Sequence, residues 1–220
     1  MAGFKSPTKE IDEPINWFRR LGDIPGIRFA PSQSFDRTKL RGYNIVPKVH
    51  VYEFEGKRRQ SLAWPIKNGE ASASPAQQHA IVELGNLPSA KLLRNMYECI
   101  ELPGRPSDYH FLIQSRAEEL WKRRREEPSV LEEVEKLCWL DIRLIETRPD
   151  IIRDEYTEEP NFYRVVAFAT LIDLYEREGF LREALGVSDR AAAFQQGEQH
   201  QQRLRARIAA VEAEDAGSPC

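Results

Sequence analysis

The sequence predicts an α+β protein: a small N-terminal antiparallel β module with a short helix, followed by a larger all-α helical bundle. Three observations carry this. Between Ile24 and Ile66 the apolar residues are mainly Val, Ile, Tyr, Phe and Trp, interrupted by Pro and Gly, which favours strands. Beyond Ser74 apolar residues recur at three- and four-residue steps instead, the period of a helix. From Phe162 to Tyr175 only Arg164, Thr170 and Asp173 are polar, and at about 100° per residue Arg164 and Asp173 fall on opposite sides. A helix with no face left for water has to be enclosed by its neighbours.

In chain order, Glu13-Pro14 opens a short helix with Trp17, Phe18 and Leu21 on one face, ending at Gly22. Lys48 to Glu55 and Arg59 to Trp64 form a hairpin joined through Gly56. In its first strand His50, Tyr52 and Phe54 point one way, Val49, Val51 and Glu53 the other. Neither face is wholly polar, so the hairpin is either covered on both sides or presents an aromatic contact surface. Lys67 to Ser74, rich in Gly, Ser and Ala, reads as a linker. The expected domains are therefore residues 1–70, residues 75–194 and a polar tail, 195–220.

Helices are expected from Ser74-Pro75 to Leu84, from Ser89 to Ile100, from Ser107 or Asp108 past Trp121, and from the capping box Ser129/Glu132 to Pro149. Asn161 is the expected N-cap of the apolar helix, and Gly179 its exit. In the tail, Leu204, Ile208 and Val211 make a short coiled-coil seam suited to self-association.

Within residues 161–187, Leu171, Tyr175, Gly179 and Ala184 keep the intervals of one tetratricopeptide-type helical hairpin, which this stretch resembles. The resemblance implies two antiparallel helices closing on each other over small residues. It covers one repeat's worth of chain and lacks the family's Trp near the start of the first helix and its closing Pro.

With 41% hydrophobic and 30% charged residues, the 220-residue chain reads as soluble and rather polar. Its N-terminus has no apolar signal region and no run is long enough to span a membrane, which makes it a cytoplasmic chain by expectation. Cys99, Cys138 and Cys220 are far apart and show no metal or disulfide spacing. The net charge of -3 conceals an asymmetry. Ile24 to Glu70 holds nine Lys/Arg against four Asp/Glu, whereas Ser129 onward holds eleven against nineteen.

Candidate chemistry is sparse. Glu55-Gly56-Lys57 has the Glu-x-Lys spacing that resembles half of a metal-dependent nuclease signature, with Asp36 the one Asp within reach. Arg37, Lys39, Arg41, Tyr43, Lys48, Lys57, Arg58 and Arg59 interleave cations with aromatics, a pattern suited to a phosphate backbone and stacked bases. The alternative is a solvated rim protecting an edge strand. Asp141 and Asp173 sit among apolar neighbours and call for partners, with Arg143, Arg164, Trp139 and Tyr175 as candidates. The histidines His50, His79, His110 and His200 are scattered, and no phosphate loop, dinucleotide fingerprint or nucleophile elbow is present. No metal or other cofactor is expected. The sequence thus points to a cytosolic interaction or adaptor protein, its acidic helical part packing on a protein partner and its basic β part meeting a second. Nucleic-acid binding by the β module comes next, and the nuclease third.

Overall fold

A computed structural model describes residues 37–54, 56–82, 84–153 and 161–217. The expected N-terminal helix around Trp17 lies outside the described residues. Among the described residues a small three-stranded antiparallel sheet precedes seven α-helices, the α+β arrangement the sequence predicts. The described chain separates into two compact units, one ending at Val130 and the other beginning at Leu131.

In the first unit, β1 (Lys48–Phe54) pairs along its whole length with β2 (Lys57–Ile66), in a register running from Lys48 opposite Ala63 to Phe54 opposite Lys57. That register leaves a two-residue turn, and Gly56 takes the positive φ (+70°) that such turns require. The end of β2 pairs with β3 (Gly69–Ala71), so the residues read as a linker are built into the sheet. They also supply Ser74, the N-cap of α1 (Pro75–His79): Ser74 Oγ accepts from Gln77 N–H while the Gln77 side chain accepts from Ser74 N–H.

The sequence predicts that this helix continues to Leu84, but it stops at His79. Its last carbonyls are satisfied from elsewhere: Asn95 Nδ2 donates to His79 O (3.0 Å) and the Arg116 guanidinium to Ala80 O (2.8 Å). Both donors belong to the next helices, α2 (Ser89–Ile100) and α3 (Pro106–Arg123). Beneath them a small core of Leu40, Ala76 and Leu102 is covered by Tyr109, whose hydroxyl donates to Leu102 O. Arg105, just before α3, donates to Leu62 O and Ser72 O and so ties the helices to the sheet. Asp108 caps α3 by accepting from Arg105 N–H (2.8 Å).

In the second unit, α4 (Leu131–Thr147), α5 (Val166–Arg177), α6 (Leu181–Ala192) and α7 (Glu198–Gly217) pack each on the next. α5 is the enclosed rod: Ala167, Phe168, Leu171, Ile172, Leu174 and Tyr175 are all buried. It begins at Val166 rather than directly after Asn161, because the intervening backbone is engaged otherwise. Phe162 forms a β-bridge with Arg153, Tyr163 N–H donates to Ile152 O (2.7 Å), and Val165 N–H donates to the Gln196 side chain (3.0 Å). Beyond the end of α5 the chain turns at Gly179 (φ +85°) with Phe180 N–H donating back to Tyr175 O (2.8 Å), and α6 follows from Leu181. The residues resembling a tetratricopeptide-type unit therefore form a helical hairpin, with Ala184 fully buried.

The expected tail is the helix α7, held to its own chain. Leu204 is buried, and Arg203 and Arg207 both donate to the Glu176 carboxylate on α5. Arg182 on α6 pairs with Glu212. Of the seam residues, Val211 is the exposed one.

Candidate functional site

The alternation of side chains along paired strands sorts the hairpin into two faces. One carries Lys48, His50, Tyr52 and Phe54 from β1, opposite Lys57, Arg59 and Ser61 on β2. The other carries Val49, Val51 and Glu53, opposite Arg58, Gln60 and Leu62. All seven residues of β1 are exposed, among them Val49 (57%), Val51 (47%), Tyr52 (47%) and Phe54 (53%). Among the described residues β1 is an edge of the sheet, and β3 is too short to flank β2 beyond Trp64. The distal hairpin is thus a two-stranded arm with exposed apolar side chains on both faces. Such an arm is marginally stable alone, and an exposed apolar edge is a template for another chain.

The cations predicted to track a nucleic acid are dispersed. On the aromatic face Lys48 and His50 both contact Glu70 (2.6 and 2.9 Å), and this network holds the exposed Glu70 carboxyl below its usual range. Arg59 lies over the Phe54 ring at 5.8 Å. That leaves Lys57 as the cation of this face with no ion pair among the described residues. Arg58 sits on the opposite face beside Glu53. Lys39, Arg41 and Tyr43 belong to the loop before the sheet, and the Arg37 side chain lies outside the described residues.

Of the nuclease triad, Asp36 and Glu55 also lie outside the described residues, while Lys57 opens β2 at the hairpin tip. No group of three or more His, Cys, Asp or Glu arranged to hold a metal occurs among the described residues.

The carboxylates singled out in the helices separate into two environments. Asp173 is half-exposed and pairs with Arg177 at 3.6 Å, one turn on along the same helix. Asp141 is fully buried. Tyr175 joins two residues of α4: Trp139 Nε1–H donates to Tyr175 Oη (2.8 Å), which donates to Glu135 Oε1 (2.6 Å). The chain extends outward through Arg190, stacked on the Trp139 indole and bidentate to Glu146. Sequence reasoning missed Glu135, although its place one turn before Trp139 on a buried stripe was the available signal.

Neither buried thiol is poised as a nucleophile. Burial pushes Cys99 up to about 12, partly opposed by Arg116, and burial together with the charges of Asp141 and Glu135 pushes Cys138 well up. Among the described residues no helix is long and apolar enough to cross a membrane. Comparison with protein-family models, curated proteins and solved structures finds no match for this chain.

Proposed function

We propose that the protein is an interaction factor whose β1–β2 arm engages a partner protein, with the helical unit as its stable scaffold. The observation that supports this reading is the run of exposed apolar residues on both faces of an edge strand. Their remaining surface contributes nothing to the chain's own core, yet fully burying a Val or Phe is worth about 1.5–3 kcal/mol. A partner strand added along β1 would satisfy its outer backbone groups and cover Val49, Val51, Tyr52 and Phe54 together. With Lys57 and Arg58 forming no ion pair among the described residues at the tip, the arm favours an acidic extended segment.

Nucleic-acid binding is the second reading, favoured by Tyr52 and Phe54 standing beside Lys57. It is weaker because Lys48, His50 and Arg59 on that face already have partners. One experiment separates the two. A photo-crosslinking residue at Val51 of the full chain, activated in the native host, is expected to yield a protein adduct that Tyr52→Ser/Phe54→Ser abolishes. An adduct with nucleic acid would favour the second reading, and no adduct would overturn both.

A further inference from the structure

At the root of the arm, three segments meet around a cleft of about 600 Å3. The loop before the sheet brings Arg41, Gly42 and Ile45; the end of β2 brings Pro65, Ile66 and Lys67; α1 brings Pro75, Gln78 and His79. The loop can lie against α1 only because residue 42 is glycine. It has φ +91°, and a Cβ there would stand 3.1 Å from that of Pro75.

The lining has one sign of charge. Arg41 and Lys67 form no hydrogen bond or ion pair with any described residue, and no described carboxylate lines the cleft. His79 is oriented from behind: its Nε2 donates to Glu98 Oε2 (2.9 Å), and Arg94 donates to Glu98 Oε1 (2.9 Å). Burial raises the Glu98 pKa, but the hydrogen bonds from Arg94 and His79 outweigh it and hold the carboxyl below its usual range. An ionised Glu98 can only accept, which fixes the proton on His79 Nε2 and leaves Nδ1 without a partner among the described residues. The floor beside these groups is apolar, made by Ile45, Pro65, Ile66 and Pro75. The dimensions fall within the usual range for small-molecule sites, roughly 300–1,000 Å3.

We propose that this cleft is a binding site for a small organic anion, its phosphate or carboxylate held between Arg41 and Lys67 and its apolar body lying on the Ile45–Pro65–Pro75 floor. The site is separate from the edge of β1, so it stands or falls independently of the partner reading.

The test uses the full chain, 15N-labelled and titrated up to about 10 mM ligand. The probes are phenyl phosphate and phenylacetate, which carry both features, with inorganic phosphate and benzyl alcohol each supplying one. Phenyl phosphate or phenylacetate is expected to shift the amides of Gly42, Lys67 and His79, at least about tenfold more tightly than either single-feature probe. Arg41→Gln/Lys67→Gln is expected to lose that binding about tenfold or more while keeping its melting temperature, since both side chains are exposed and have no partner among the described residues. No shift with either two-feature probe, equal binding of benzyl alcohol, or undiminished binding by the double variant would overturn the proposal. If the double variant fails to fold, Lys67→Gln alone supplies the same comparison.

Discussion

The β1–β2 arm and the α5 rod spend comparable apolar side chains in opposite ways. On α5, Phe168 and Tyr175 are fully enclosed, and even the polar groups of Trp139, Tyr175 and Glu135 are matched with one another. On β1, Tyr52 and Phe54 stand half in water, and the strand has one neighbour among the described residues. The difference teaches that apolar content alone does not locate a core. A helix apolar all round must be covered by its own chain, whereas a strand with an open edge can leave that to another chain. On the proposed reading the helices supply stability and the arm recognition.

The largest effect that could break this contrast is expected at Phe168. A charge there, Phe168→Asp, is placed in the middle of the rod without a partner and is expected to cost at least about 4 kcal/mol, unfolding the helical unit in circular-dichroism melts. Tyr175→Phe is milder. It removes the hydroxyl that accepts from Trp139 Nε1–H and donates to Glu135, leaving the buried indole N–H without that acceptor, for a loss of about 1–3 kcal/mol in denaturant titration.

Glu176→Gln sharpens the comparison by loosening α7 while sparing the core. Burial works against the Glu176 charge, but the hydrogen bonds from Arg203 and Arg207 prevail and keep its carboxyl below the ordinary value of 4.5. A depressed folded pKa contributes stability that is present above about pH 4.5 and is lost as pH falls through the folded value. Because both arginines are half-exposed, the substitution is expected to cost about 1 kcal/mol or less and to speed amide exchange in α7 selectively. As pH falls through the depressed folded value of Glu176, the wild type and the variant should converge.

The smallest effect concerns the thiols. In a Cys220→Ser chain, neither Cys99 nor Cys138 is expected to react with a thiol reagent until the protein is denatured, since burial disfavours both thiolates. Rapid labelling of the native chain would contradict the enclosure of Cys99 on α2 or of Cys138 on α4.

The parts legible in the sequence were those written in local chemistry. The alternation around Glu55-Gly56 gave the hairpin, and the all-round apolar run ending at Gly179 gave the α5–α6 turn. What escaped depended on distant partners. α1 ends early because Asn95 and Arg116, from two later helices, hold its carbonyls. α5 starts late because Gln196, 31 residues beyond Val165, takes its N–H. The burial of Glu135 depends on a tyrosine hydroxyl 40 residues away, and the cleft on three segments whose meeting no local pattern records.

The central claim, that the apolar residues of β1 belong to a partner and not to the chain's own core, is tested most directly by the melting temperature of Val49→Thr/Val51→Thr/Tyr52→Ser/Phe54→Ser. The account predicts a value within about 2 °C of wild type. A fall of more than about 6 °C would show that these side chains hold the molecule together, and would contradict it.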